Sequence, residues 1–151
     1  LHWKRTGKTL SKNLELMKNR IGIISTLSYN NQFKLNKLFS AIKEKYGPYA
    51  IIQTGGSTGA EQMAKKVALE LGFKYREFNP SYTGRNIYSA LDESYYGKNF
   101  HSSHLIDRYK KLVFESDHIF MFIENSKTEQ YDLAWIKKFM DKQKIKYHIV
   151  I

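Results

Sequence analysis

The sequence predicts a single α/β domain of the Rossmann-like class, with a mostly parallel sheet of about five strands and helices on both faces. Short runs of apolar, often β-branched residues alternate along the chain with longer segments whose apolar residues recur at helical spacing. Glycine or proline follows several of these segments, where a helix or strand has to end. A length of 151 residues suits one domain with a buried core.

The predicted elements follow one another in a strand–helix order. Ile21–Ser25 is the first convincing strand, and its near-continuous apolar run is typical of a strand buried on both faces of a parallel sheet. The helix that begins at Asn31 ends at Gly47-Pro48, because proline cannot continue a helix. The later elements are a strand at Tyr49–Gln53, a helix at Ala60–Leu71, a strand at Phe73–Phe78, a helix at His101–Glu115, a strand at His118–Ile123, a helix at Thr128–Lys142 and a strand at Lys146–Ile151.

Residues 1–19 are predicted to be a basic lead-in, and residues 20–151 the domain itself. The lead-in lacks the apolar stretch of a secretory signal. The sequence also contains no run of about eighteen apolar residues, so no membrane span is predicted. The sequence contains no cysteine, which excludes disulfides, zinc thiolates and cysteine nucleophiles. We therefore expect a cytoplasmic protein that does not associate with membranes.

The formal net charge is +11, from 25 basic and 14 acidic residues. A field of this sign attracts nucleotides, nucleic acids or acidic surfaces. The alternative is a lysine-rich composition spread over solvated faces, because a nucleic-acid footprint requires the basic residues to cluster on one face. The basic lead-in is likewise predicted either to contact nucleic acid or to be a solvated or partner-docked tail.

The most informative segment is Thr54–Gly59, which reads Thr-Gly-Gly-Ser-Thr-Gly between a predicted strand and a predicted helix. Glycines permit positive φ angles and let an oxyanion approach the backbone. The first amides of the following helix lack internal partners and lie at the positive end of its dipole, so phosphate is the natural ligand. The spacing is neither GxGxxG nor GxxxxGK[ST], which disfavours NAD binding and P-loop ATP hydrolysis. The alternative is a tight turn whose last glycine only permits close packing.

The turn and its continuation, Thr-Gly-Gly-Ser-Thr-Gly-Ala-Glu-Gln-Met-Ala, resemble the GGxxGAD-x-x-A turn of the SLOG superfamily, close to its YspA-like branch. The superfamily also includes the LOG-type phosphoribohydrolases and the DNA-processing protein DprA. The resemblance extends from about Arg20 to Ile151, with Glu61 where that branch usually has Asp. It implies a Rossmann-like fold and a nucleotide or nucleotide-derived ligand at the carboxyl ends of the strands.

Three residues outside the turn are candidates for ligand contact. Ser25 ends the first strand, at the position where members of the YspA-like branch have Gly-Ser-Arg. Its hydroxyl either donates to a phosphate or is simply a polar group at the end of a strand. LOG-type enzymes have an Arg on the corresponding helix, ahead of an Asp that begins the next strand, and Arg108 lies at the same spacing before Asp117. A guanidinium group there could bind a phosphate through two hydrogen bonds. A solvated helix position is its alternative. Arg85, in the irregular, tyrosine-rich segment Ser81–Phe100, offers a second anionic contact, while core packing or a homo-oligomer interface is the rival use of that segment.

Catalytic residues are less clear from the sequence. LOG-type enzymes follow the fourth strand with Gly-Gly-x-Gly-Thr and a catalytic Glu, but here the corresponding segment contains no glycine. Glu129 and Asp132 are the carboxylates placed for acid–base chemistry on this side, with helix capping as their alternative role. His104 is a third candidate, for ligand contact or proton transfer. Together with His101 it makes only a weak metal pattern, so neither a metal site nor a cofactor is predicted.

These observations predict a nucleotide-binding sensor or sequestering module. The alternatives are a LOG-type nucleotide N-glycosidic hydrolase and a nucleic-acid-binding accessory protein, and the missing second glycine loop favours binding over hydrolysis. The predicted ligand and phosphate contacts are Ser25, Thr54, Gly55, Gly56, Ser57, Thr58, Gly59, Glu61, Arg85 and Arg108.

Overall fold

The computed structural model describes residues 17–99, 102–124 and 131–151, with the backbone alone at 102, 105, 131 and 132. Strands and helices alternate along these residues, as the sequence predicts. The elements are β1 (Arg20–Ser25), α1 (Gln32–Tyr46), a 3₁₀ turn (Gly47–Tyr49), β2 (Ile51–Thr54), α2 (Ala60–Glu70), β3 (Lys74–Glu77), a second 3₁₀ turn (Glu93–Tyr95), α3 (Ser102–Phe114), β4 (His118–Phe122), α4 (Tyr131–Lys142) and β5 (His148–Val150).

The five strands form one sheet in the order β3-β2-β1-β4-β5, and every neighbouring pair is parallel. Strand β1 lies at the centre, where Ile21 is opposite Ile52 on one side and His118 on the other. The chain builds outward from β1 to β3 and then returns to build from β4 to β5. The carboxyl ends of β1 and β4 therefore flank the topological switch point, where sheets of this kind bind ligands.

Helices cover both faces of the sheet, as predicted. On one face, α1 and α2 pack on a cluster that contains Ile21, Phe39 and Ile52. On the other face, α3 and α4 pack on a cluster that contains Leu112 and Met121. A fully buried apolar side chain of this size stabilises the fold by about 1.5–3 kcal/mol, so these two layers supply the main stabilisation of the domain.

Some predicted boundaries move by a few residues. Helix α1 begins after Asn31, whose side chain accepts a hydrogen bond from the Lys34 amide, and it ends at Gly47 with a φ of 58°. Strand β5 is shorter than predicted and comprises His148–Val150, the residues that pair with β4. The predicted start of the last helix at Thr128, and most of the lead-in, lie outside the described residues. No helix within the described ranges is long and apolar enough to cross a membrane.

Candidate functional site

The glycine turn connects β2 to α2 at the carboxyl edge of the sheet. At Gly59 the φ angle is 85°, and a Cβ atom there would meet the carbonyl oxygen of Thr26 and lie 3.0 Å from the Ser25 hydroxyl. At Gly56 the φ angle is 75°, and a Cβ atom would lie 2.9 Å from the Glu77 carboxyl group. Both positions therefore require glycine, because conformation and space exclude a side chain. The turn lies against the ends of β1 and β3.

Glu61, in the first turn of α2, lies beneath the glycine turn and is 0% exposed. Its Oε1 accepts hydrogen bonds from the amides of Gly55 (2.7 Å) and Ser57 (3.4 Å). Its Oε2 accepts from the Ser25 amide (3.3 Å) and the Tyr109 hydroxyl (2.8 Å). Burial raises the pKa of Glu61, and the charge of Arg108 together with these hydrogen bonds offsets part of that rise. The carboxylate thus ties the turn to β1 and α3.

Arg108 of α3 lies beside the same turn and is only 5% exposed. Its Nη1 donates to the carbonyl oxygens of Gly55 and, at 3.0 Å, Phe78, and its Nη2 donates to the Ser57 hydroxyl at 3.2 Å. The guanidinium lies 4.5 Å from the centre of the Tyr109 ring. Its Nε is buried and has no partner among the residues that the structure describes. The sequence-predicted Arg108 and the glycine turn are therefore in direct contact.

The Ser25 hydroxyl lies where β1 ends and α2 begins. The residue is 6% exposed, and its Oγ has no hydrogen-bond partner within the described part of the chain. A buried hydroxyl without a partner costs stability, so an unpaired one in a folded protein calls for an explanation. Its position next to Gly59, at the positive end of the α2 dipole, is where a bound oxyanion would supply the missing acceptor.

The hydroxyls within the turn have different surroundings. Thr54 is fully buried, hydrogen-bonds the Tyr75 hydroxyl at 2.7 Å and accepts from the Gly56 amide at 3.0 Å. The Ser57 hydroxyl hydrogen-bonds the Tyr109 hydroxyl at 3.0 Å. Thr58 is exposed and donates to the carbonyl oxygen of Leu27 at 3.1 Å. The first two hydroxyls therefore hold the turn from inside.

Of the remaining predicted residues, the structure describes Arg85 and His104 in full. Arg85 is exposed. The His104 Nδ1 lies 3.0 Å from the Ser81 hydroxyl, and the His104 carbonyl accepts from Tyr95 at 2.7 Å, which fastens the 81–99 loop to α3. Glu129 and His101 lie outside the described residues, as does the side chain of Asp132. The catalytic roles suggested for Glu129, Asp132 and His104, and the ligand contact suggested for Arg85, stay predictions.

Sequence reasoning missed Glu77, the last residue of β3. It is buried, and its carboxylate accepts from the Tyr75 hydroxyl (2.9 Å) and from the Asn86 side chain (3.0 Å), with the Lys65 Nζ 3.3 Å away. Burial raises the pKa of the Tyr75 hydroxyl, and its Thr54 contact lowers that pKa by less. An acidic residue about 20 positions after a glycine turn, at the end of the next strand, was the available signal.

The described residues contain no cluster of three or more His, Asp or Glu side chains placed to hold a metal ion. In comparisons with known proteins, neither a protein-family model nor a curated protein matches the chain. The likeness to the SLOG superfamily therefore rests on the glycine turn and its surroundings, and membership stays a prediction.

Proposed function

We propose that this domain binds a nucleotide or nucleotide-derived ligand, with the phosphate at the start of α2, and acts as a sensor or sequestering module of SLOG type. The observation that carries the proposal is the buried, unpaired hydroxyl of Ser25 beside Gly59. A hydroxyl donor beside a helix N-terminus is a combination that phosphate sites use. Gly59 contributes by letting the end of β1, and with it the Ser25 hydroxyl, lie close to the first turn of α2.

The contacts inside the turn indicate which groups remain for the phosphate. Glu61 and Thr54 already accept from the amides of Gly55, Gly56 and Ser57. We therefore assign the phosphate to the outer side of the turn, at the first amides of α2, which have no partner inside the helix. Arg108 supplies positive charge from beside the turn, in surroundings where burial strengthens electrostatic interactions.

A groove of about 380 Å³ at the carboxyl ends of β1 and β4 supports the nucleoside part of the proposal. It is lined by Tyr29, Asn30, Asn31 and Glu124, among others. Its volume lies within the range of about 300–1,000 Å³ typical of small-molecule sites. Amide and carboxylate groups at this position suit the hydroxyls of a sugar and the polar edge of a base.

The carboxylates that contact the turn are poorly placed to act as a general acid or base on a bound nucleotide. Among the described residues these are Glu61 and Glu77, and both are buried and accept hydrogen bonds from protein donors. A general acid or base must reach the substrate, directly or through one water molecule. Buried carboxylates that are already occupied by protein groups meet that requirement poorly.

Replacing Ser25 with alanine tests the proposal. Loss of an unpaired buried hydroxyl should leave the melting temperature unchanged or higher, while loss of one hydrogen bond of about 1 kcal/mol should weaken nucleotide binding roughly fivefold. Isothermal titration with inorganic phosphate and a panel of nucleoside monophosphates measures the binding, and thermal denaturation measures the stability.

Ser116→Ala is the matched control. The Ser116 hydroxyl donates to the Leu112 carbonyl at 2.7 Å and accepts from Gln53 at 3.0 Å, near the amino end of β4. This substitution should lower stability and leave binding unchanged. Absence of nucleotide binding at millimolar concentration, or unchanged binding by the Ser25→Ala protein, would contradict the proposal. Free base released from the nucleotide would favour the hydrolase instead.

A further inference from the structure

The two edges of the sheet differ in how the chain covers them. Along β3, the Glu77 amide donates to the Tyr88 carbonyl and the Ala90 amide donates to the Glu77 carbonyl, both at 2.8 Å. The 81–99 loop thus occupies hydrogen-bonding positions at that edge. At the opposite edge, β5 pairs with β4 alone within the described residues. Such an edge exposes peptide groups that another extended chain is able to pair with.

The peptide groups of Ile149 are the ones that face outward. The Val150 carbonyl accepts from the Ile123 amide at 2.8 Å, so the polar backbone groups of Val150 point toward β4. Successive residues of a strand point their backbone groups to opposite sides in the sheet plane. The Ile149 amide and carbonyl therefore point away from β4, into the open edge.

Apolar grooves lie on both faces of this edge. On the α1 side a groove of about 270 Å³ is lined by Phe33, Leu38 and Val150. On the α4 side a groove of about 450 Å³ is lined by Leu133, Ile149 and other residues. Phe33 is 74% exposed and Ile149 is 44% exposed. The alternate side chains of an added strand would enter the two grooves in turn.

The charge around the grooves determines what kind of chain fits. Lys34 and Lys37 line the α1-side groove, and Lys137 and Lys138 line the α4-side groove. The acidic residue in the second groove, Asp141, already accepts from the Tyr147 hydroxyl at 2.7 Å. A second copy of this chain would bring lysines against lysines, whereas acidic side chains would neutralise them.

We propose that the open edge of β5 is a docking site for an extended, acidic and apolar segment of a partner protein, which adds to the sheet as a further strand. The backbone groups of Ile149 supply the hydrogen bonds, the two grooves receive apolar side chains, and the flanking lysines select acidic residues. This surface does not include the glycine turn, although its grooves share Lys34, Ile123 and Ile151 with the groove assigned to the nucleoside. The inference does not depend on nucleotide binding.

A synthetic peptide with a core of consecutive valines, which presents apolar side chains to both grooves, and with two glutamates at each end is the probe. Binding to the full chain is measured by fluorescence anisotropy at low and high salt, and a peptide with lysine flanks is the control. We expect the glutamate peptide to bind at least tenfold more tightly than the lysine peptide. This difference should shrink as salt rises, because screening weakens exposed ion pairs.

Two variants locate the bound peptide. Ile149→Pro removes the outward amide and keeps the hydrogen bonds of Val150 to β4, so it should weaken binding at least tenfold, while Ile149→Thr retains that amide as the control. The double charge reversal Lys137→Glu and Lys138→Glu lies on exposed helix positions and should remove the preference for glutamate flanks.

Four results would overturn the inference. The first is no binding of the glutamate peptide at millimolar concentration, and the second is equal binding of the two peptides. The third is a dimer in sedimentation analysis that Ile149→Pro dissociates, since a second copy would then occupy the edge. Unchanged peptide binding by both Ile149→Pro and the charge-reversed protein would likewise move the site elsewhere.

Discussion

The Tyr109 hydroxyl donates to the Glu61 Oε2 at 2.8 Å and thereby joins the first turn of α2 to α3. Burial raises the pKa of both groups. The same carboxylate accepts from backbone amides of β1 and of the glycine turn. A buried polar network, rather than apolar packing alone, thus fixes the backbone at the candidate site.

Glu61→Ala is expected to destabilise the protein by about 3 kcal/mol or more, because it removes the buried acceptor of the Gly55 and Ser25 amides. Urea denaturation measures the loss. Glu61→Gln keeps the volume and one acceptor oxygen, so it should cost less. Equal losses for the two variants would show that volume, not hydrogen bonding, is what Glu61 contributes.

The raised pKa of Glu61 predicts a pH dependence of stability. The pKa of Glu61 is higher in the folded state than in the unfolded state. The stability that this shift contributes is therefore fully present below the unfolded-state pKa and is lost as pH rises through the folded-state pKa. The Glu61→Gln variant carries no charge at this position, so its stability relative to the native protein should increase as pH rises from about 4 to 8. Urea midpoints for the two proteins at several pH values measure it, and parallel profiles would be inconsistent with the shift.

Asp117 predicts the opposite slope. Burial alone would raise its pKa, but hydrogen bonds from the Arg20 side chain and amide outweigh burial and lower it. The stability that Asp117 contributes is therefore present above its unfolded-state pKa of about 4 and is lost as pH falls through its folded-state pKa. Asp117→Asn should flatten this acid limb. The loss at neutral pH should be about 1 kcal/mol or less, since Arg20 is partly exposed.

A series of three glycine-to-alanine variants separates conformation from space. Gly59 has a positive φ and a Cβ position that is already occupied, Gly72 has a positive φ with open space, and Gly84 has open space without a positive φ. We expect a loss of about 3 kcal/mol or more at Gly59, about 1–2 kcal/mol at Gly72 and about zero at Gly84. Thermal unfolding gives the ranking, and equal losses at Gly59 and Gly72 would remove the close-approach explanation.

The fold was predictable because each element carries its own local signal. These signals depend only on residues that are close together in the sequence. Examples are the apolar run at Ile21–Ser25, the periodic apolar stripe that ends at Gly47 and the glycine turn after β2. The sequence also predicted that Arg108 and the turn belong to the same site, because of the family resemblance and the spacing between Arg108 and Asp117. Their direct contact is visible in the structure, while a phosphate contact for Arg108 stays a prediction.

The internal role of Glu61 was not predictable in the same way. An acidic residue in the first turn of a helix is equally suited to a dipole contact, a ligand contact or a buried bridge. The choice depends on Tyr109 and Arg108, which reach Glu61 and the turn only after α3 has packed on the sheet. The role of Glu77 was not predicted for a related reason. Glu77 is buried by the loop that carries Asn86, and the sequence of that loop has no periodic pattern from which its position could be predicted.

The Arg20–Asp117 pair lies at the amino ends of β1 and β4, at the other end of the sheet from the glycine turn. Mutations near this pair can change the stability of the protein without reshaping the groove at the carboxyl ends of β1 and β4. An engineered or evolving variant thus has two regions that can change independently, one that affects stability and one that shapes the candidate site. Selection on either property need not compromise the other.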